Sequence, residues 1–349
     1  MKLAKGSLPG YKLAIGATLL AVFVIGLGAF TRLVDAGLGC PDWPGCYGHL
    51  LWPNDAQEIE AANTAFPDLP VISGKPWPEM VHRYFAGTLG LLIFFQAFIA
   101  IKNRRERAYP FRQTIFMALL VIWQALFGMW TVTLKLWPQV VTTHLLGGFL
   151  TFVLLTVLVQ RLSSYRWNLA ESQLHSLVSL RGSVIVGVII VFLQIALGGW
   201  LASNYAAFGC PDFPKCTGDW WPEMDVKNGF NILQSIGPNY LGGLLGSDAR
   251  TAIHFIHRLG AILTFAYLIY LGWRVWRTKV SKARALVIVL WIVLFLQVGL
   301  GISNVLYLIP LWNAVAHNFV GALLLATLAA LLTQIDRASL VDTESQSDG

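Results

Sequence analysis

The sequence predicts an all-α integral membrane protein whose eight transmembrane helices form two pseudo-symmetric four-helix bundles. Three observations predict it: apolar runs of membrane-spanning length, loops that alternate between basic and acidic, and a second half that repeats the first. Of 349 residues, 56% are hydrophobic and 12% charged, and the mean hydropathy is +0.62. A soluble domain has no use for so much apolar surface, whereas runs of ~20 apolar residues match the hydrocarbon thickness of a bilayer. Eight such runs occur, at roughly 13–33, 80–101, 114–134, 139–160, 183–203, 252–273, 286–307 and 312–333. The first is too long for a signal peptide and no small-residue cleavage site follows it, so it reads as a retained anchor.

Charge sets the orientation. Lys2, Lys5 and Lys12 precede the first span, and Lys102, Arg104, Arg105, Arg107 and Arg112 separate the second from the third. Arg161, Arg166 and Arg181 follow the fourth, and Arg274, Arg277, Lys279, Lys282 and Arg284 follow the sixth. The alternate loops carry Asp42, Asp55, Glu58, Glu60 and Asp68, then Asp212, Asp219, Glu223 and Asp225. The positive-inside rule therefore places the chain in the cell (inner) membrane with both termini cytoplasmic. The net charge of +7 reports this topology, and nothing points to a nucleic-acid partner.

The repetition is specific. "GAFTRLVDAGLGCPDWPGCYG" (28–48) aligns without gaps on "GGWLASNYAAFGCPDFPKCTG" (198–218) at an offset of 170, so that Gly39-Cys40-Pro41-Asp42 returns as Gly209-Cys210-Pro211-Asp212. His82-Arg83 returns as His257-Arg258 at offset 175, and His144 as His317 at offset 173. Residues 1–165 and 166–349 are thus two copies of one four-span unit. An even number of spans makes the copies parallel, related by an axis along the membrane normal.

His49 and His175 fall in loops and take no role. The other five histidines lie near the starts of helices that run inward from the outer face. His82 follows Pro78 and His144 follows Pro138 by a few residues, and proline is a natural first-turn residue. At ~1.5 Å per residue their rings lie roughly 6–9 Å inside the helix starts, with His257 and His317 in similar positions. One such histidine is most simply an interhelical hydrogen-bonder. Four, paired within each half and repeated between halves, fit haem iron held by axial imidazoles from facing helices. Zinc or copper would lack further ligands. Gly87, Gly90, Gly147, Gly148, Gly260 and Gly321 lie near the ligands and line the slot a porphyrin needs. Arg83 and Arg258 are charges at membrane depth, for which haem propionates are suitable partners. The glycines of "QALFG" (124–128), "QIALG" (194–198) and "QVGLG" (297–301) read as close-packing residues, and their glutamines receive no chemical role, though one could serve a haem edge.

The two halves differ in the residue three before the first histidine. Glu79 lies three residues before His82, on the same helix face, whereas His254 lies three before His257. A first-turn carboxylate complements the helix dipole. One turn from a haem ligand it can also act as base, acid or cation stabiliser, which would assign the chemistry to the first half and a permanently held haem to the second. All four cysteines lie in outward loops. The C-x5-C spacing of Cys40/Cys46 and Cys210/Cys216, without accompanying histidines, reads as two disulfides rather than zinc sites.

On "TRLVDAGLGCPDWPGC", "EMVHRYFAG", "THLLGGFLT", "HRLGAILT" and "AHNFVGALLLA", spread over essentially the whole chain, the protein resembles the haem A synthases. The resemblance implies an oxidoreductase that converts haem O to haem A by oxidising the C8 methyl group to a formyl group, through successive hydroxylations and loss of water. It implies haem O between His82 and His144, and a haem b cofactor between His257 and His317. Glu79 matches the family's essential carboxylate, and Cys40/Cys46 match the outward-loop pair of cysteine-bearing bacterial members. His254 takes no role from the resemblance; a propionate contact and an alternative iron ligand both stay open for it. The implied partners are the lipid bilayer, haem O, a haem O synthase and an electron donor or acceptor; a homo-oligomer is compatible with this set. Three rival readings differ in what they need. A di-haem cytochrome b-type quinone electron carrier needs no Glu79. A membrane thiol-disulfide oxidoreductase needs no four-histidine set, and its redox motif would be C-x-x-C. A transporter would carry a central charge pair. The stretch "PNDAQEIEAANTAFPDLP" reads as a partly helical outer loop, and the tail "DTESQSDG" as disordered.

Overall fold

A computed structural model describes residues 7–340, so Lys2, Lys5 and the tail at 342–349 lie outside the described residues. The elements in order are α1 (Tyr11–Leu33), α2 (Ala56–Ala65), α3 (Pro76–Lys102), α4 (Phe111–Thr133), α5 (Pro138–Leu162), β1 (Asn168–Leu169), α6 (Glu171–Val178), α7 (Arg181–Ser203), α8 (Val226–Gly229), α9 (Ser247–Trp276), α10 (Ser281–Leu306), α11 (Leu311–Arg337) and β2 (Ser339–Leu340). Among the described residues eight helical stretches are long and apolar enough to cross a membrane: α1, α3, α4, α5, α6–α7, α9, α10 and α11. The protein is a multi-pass membrane protein, helical because each span must satisfy its own backbone in lipid.

Helix ends differ from expectation where a polar turn continues an apolar run. α9 begins with "SDART" and α3 with "PWPE". His82, His144 and His317 each lie six residues after their helix starts, about 9 Å along the axis, but His257 lies ten residues after Ser247, about 15 Å. The outer loop predicted as partly helical carries α2, capped by Asp55, which accepts from Glu58 N–H at 2.8 Å. His175 was expected in a loop and lies on the short helix α6 instead.

In the first half α1 and α4 each pack on both α3 and α5; in the second, α7 and α10 each pack on both α9 and α11. The halves meet where α5 touches α11 and α7, and where α1 touches α11. One hydrophobic core runs through all of them, from Ala14 and Ile93 through Leu155 and Leu158 to Leu271, Leu294 and Leu328. α5 and α11 are the most buried spans.

Residues that the repeat makes equivalent, or places within one position of equivalence, also touch each other. Arg32 donates to Ala202 O at 2.6 Å, and Tyr205 Oη to Asp35 at 3.2 Å, both 170 residues apart. At the far end Gln334 donates to Gln160 at 2.8 Å and Arg337 to Ser163 O at 2.7 Å, both 174 residues apart. β1 pairs with β2 in parallel, Asn168 opposite Ser339; two-residue strands carry no periodicity by which a sequence could announce them. A point meets its own image only near the axis that relates the copies. Such contacts at both ends are what an axis running along the helices produces, as parallel repeats require.

Candidate functional site

Two loops of one design cover the histidine-bearing ends of α3 and α9. Cys40–Cys46 and Cys210–Cys216 are disulfide-bonded, with Cα atoms 4.8 and 4.6 Å apart. In each loop an aspartate ties the turn. Asp42 accepts from Tyr47 and Gly48 N–H at 2.6 and 2.9 Å, and Asp212 from Thr217 and Gly218 N–H at 2.6 and 2.9 Å. Desolvation alone would push the Asp212 carboxyl up; the Gly218 and Thr217 donors outweigh it and hold the group below the usual carboxylate range. Glycine opens each loop because its backbone lies directly on the start of the neighbouring helix. A Cβ at Gly209 would stand 2.5 Å from Arg250 O, and one at Gly39 would collide with Lys75 O. These contacts explain why Gly-Cys-Pro-Asp returns intact.

The first cysteine of each pair donates its backbone N–H to the helix beneath. Cys40 N–H reaches Glu79 Oε2 at 3.1 Å, and Cys210 N–H reaches His254 Nδ1 at 3.2 Å. Both acceptors are buried, 5% and 6% exposed. Positions 79 and 254 therefore share one task, anchoring the disulfide loop, which sequence reasoning missed for both. Glu79 also pairs with Arg83. Arg83 donates to the carbonyls of Asp42 and Gly45 at 3.1 and 2.6 Å, and Arg258 to those of Cys210 and Lys215 at 2.7 and 2.8 Å. The arginines expected to face propionates thus donate to the loops, Arg83 through Nη1 and Arg258 through Nη1 and Nη2, and Arg258 Nε is buried without a partner.

The four repeated histidines sit in matching windows. Residues 81–88, 143–146, 256–263 and 315–319 all keep accessible surface, and buried residues bound each window: Met80 and Leu89, Thr142 and Gly147, Phe255 and Thr264, Ala314 and Val320. Each ring also rests on a glycine of a neighbouring helix. A Cβ at Gly28, Gly128, Gly198 or Gly301 would lie 3.0, 3.3, 3.2 or 3.1 Å from Cε1 of His82, His144, His257 or His317. Three of these glycines are the ones the sequence assigned to helix packing alone. Of those expected at the rings, Gly87 and Gly148 face open space, Gly90 meets Val121, and Gly147, Gly260 and Gly321 meet Gln124, Gln194 and Gln297.

Comparison with known proteins settles the family. Residues 11–329 match the family described as cytochrome oxidase assembly protein. The chain is 43% identical to the heme A synthase of Shewanella oneidensis over 310 residues, covering 89% of this chain and 92% of that one. The chain belongs to the haem A synthase family. The heme A synthases of Sphingopyxis alaskensis and Novosphingobium aromaticivorans are 27% and 29% identical to it, across 93% and 88% of this chain and 91% and 89% of theirs.

For a member of the haem A synthase family the physical question is whether these residues fit a porphyrin. Three features fit. Each ring lies in a glycine cradle, where a Cβ would come within 3.3 Å of Cε1. Nδ1 of His82, His144 and His317 is buried with no hydrogen-bond partner, a costly state for a polar atom that lacks a ligand. Each of the four histidines keeps some accessible surface as a residue within its window. Among the described residues no group of three or more His, Cys, Asp or Glu converges as a zinc or copper site would need.

Proposed function

We propose that this protein converts haem O to haem A, oxidising the C8 methyl group to a formyl group through successive hydroxylations and loss of water. Residues 1–165 form the catalytic half and hold haem O between His82 and His144. Residues 166–349 form the cofactor half, in which His257 and His317 would hold haem b. When bound, haem b supplies a redox centre that accepts or donates electrons near the substrate. Both termini face the cytoplasm, so the loop-covered site opens on the outer side, and a haem O synthase delivers the substrate.

The observation that carries this reading is the single chemical difference between two otherwise alike anchors. Cys40 N–H rests on a carboxylate, Cys210 N–H on an imidazole. Glu79 stands one turn before His82, at the edge of the slot. Its carboxylate takes a proton from the methyl carbon or from incoming water, or stabilises positive charge developing at that carbon. Arg83 and Cys40 N–H hold both oxygens in place, so the group reacts from a fixed position. The disulfide loop above limits the entry of water. His254, whose Nδ1 is occupied by Cys210 N–H, offers no such carboxylate.

The test is chromatography of haems extracted from the full-length protein, purified with and without co-produced haem O. Glu79→Gln should retain haem yet yield no haem A. Normal haem A from this variant would reduce Glu79 to a loop anchor. His257→Ala should remove the second haem's low-spin spectrum, and an unchanged spectrum would move that ligand to His254.

A further inference from the structure

A second set of polar groups converges far from the histidines. Arg274 lies 17 residues beyond His257 on α9, about 25 Å along the axis, at the membrane surface opposite the disulfide loops. There the last turn of α9, the turn into α10 and the polar face of α6 enclose an open pocket of about 610 Å³, within the size range of ligand sites. The sequence builds each wall. Along α6 and its C-cap, Ser172, His175, Ser176 and Ser179 follow at i, i+3, i+4 and i+7 and so share one face, while Leu174 and Leu177 pack into the core. The facing wall is cationic, lined by Arg274, Arg277 and Lys279. None of the three pairs with a carboxylate among the described residues. Ser179 donates its hydroxyl to Ser176 O at 2.8 Å, whereas the hydroxyls of Ser172 and Ser176 bond no protein group among the described residues.

Basic residues at this end have an ordinary account. They complement the negative end of the α9 dipole and they follow the positive-inside rule. Neither effect calls for a wall of hydroxyls opposite the cations. The aromatic neighbours fix the depth of the pocket. The Arg277 guanidinium lies 5.0 Å from the centroid of the Trp273 ring, and Arg274 donates to Tyr270 Oη at 2.8 Å. Trp273 and Tyr270 are both exposed, and amphipathic rings of this kind sit at the headgroup level of a bilayer.

We propose that this pocket binds the phosphodiester of an anionic phospholipid, with Arg274, Arg277 and Lys279 on its charge and Ser172 and Ser176 on its remaining oxygens. A phosphodiester is an acceptor with one negative charge and no donor of its own. The cations supply charge-assisted donors, and the serines supply neutral ones. Basic pockets between helices at a membrane surface take such headgroups. Tyr270 and Trp273 lie deeper on α9 than Arg277, so the acyl chains continue past their rings into the bilayer. A soluble phosphate would gain the polar contacts and nothing from those rings. Bound there, the lipid ties α6, which packs on α11, to the turn between α9 and α10. The site is independent of the histidine windows and of the haem reading.

The experiment titrates full-length protein in neutral detergent with phosphatidylglycerol and counts bound lipid by native mass spectrometry. Each variant is first matched to wild-type helix content by circular dichroism. Phosphatidylglycerol should bind in preference to phosphatidylcholine, whose choline cancels the charge. Arg277→Gln/Lys279→Gln should weaken binding about twentyfold. Lys102→Gln/Arg104→Gln, the same loss of charge at the turn between α3 and α4, should leave it unchanged. Ser172→Ala/Ser176→Ala removes no charge and should weaken binding about fivefold. Equal weakening by the two charge variants would reduce the effect to general surface charge and overturn the site. Wild-type affinity in the serine variant would overturn it as well, because the hydroxyl wall would then hold nothing. Displacement of the lipid by an equal concentration of glycerol 3-phosphate would overturn the lipid assignment in favour of a soluble phosphate.

Discussion

A glycine beside a ring acts through what it lacks. At Gly198 a Cβ would stand 3.2 Å from His257 Cε1, closer than unbonded carbons pack. Gly198→Ala should therefore tilt the imidazole and shift the low-spin EPR signal of the second-half haem, and Gly198→Val should lower its haem content. An unshifted signal at full occupancy in the valine variant would show that this ring carries no ligand. Asp212 acts through charge. Desolvation raises its carboxyl and the Gly218 and Thr217 donors lower it further, so the folded value lies below the ordinary 3.8. A carboxyl lowered on folding stabilises the fold above its unfolded pKa, and that contribution is lost as pH falls through the folded value. Hydrogen-exchange protection at the Thr217 and Gly218 amides, corrected for intrinsic rates, should thus hold from neutral pH to about 4 and fall below it. Asp212→Asn should lower that protection at neutral pH and flatten the dependence; a wild-type profile that does not change with acid would refute the role.

Among the elements, the disulfide loop is the one that joins sequence repetition to chemistry. It is held in three ways: by the covalent bridge, by the close approach at Gly39, and by Glu79 beneath Cys40 N–H. The bridge closes a short loop and contributes about 2 kcal/mol. Removing Glu79 strands a buried N–H and the charge of Arg83, a larger cost of about 3–5 kcal/mol. Cys40→Ser/Cys46→Ser should therefore lower the thermal midpoint less than Glu79→Ala does, and the reverse order would show that the bridge is the main fastening. The same comparison separates the loop's fastening from the reaction, since Glu79→Gln keeps an acceptor for Cys40.

For the whole molecule, the axis and the orientation follow from different physics. The axis follows from contacts between repeat counterparts, Arg32 with Ala202 at one end and Arg337 with Ser163 at the other. The orientation proposed above rests on loop charge. It is open to direct measurement, because no free cysteine competes among the described residues. On intact cells a membrane-impermeant maleimide should label Glu60→Cys, in the exposed outer loop, and should spare Arg105→Cys, which is equally exposed on the other side. Labelling of Arg105→Cys alone would invert the topology.

The eight spans, the duplication, the disulfide pairing and the four histidines were legible in the sequence because each is a local property. A span must be long enough and apolar enough wherever its neighbours lie, and a C-x5-C pair can close on itself. The pairing of helices is not local. Gln194 and His257 are 63 residues apart in the chain, yet the Gln194 amide lies 3.1 Å from His257 Nδ1, and Gly198 meets the His257 ring only when α7 is laid against α9. For the same reason the loop amides that rest on Glu79 and His254, and the loop carbonyls that Arg83 and Arg258 reach, could not be read from the sequence. Composition determined where the helices run, because lipid demands that each satisfy its own backbone. Packing alone decided which side chains meet between them, because that depends on how eight helices share one interior.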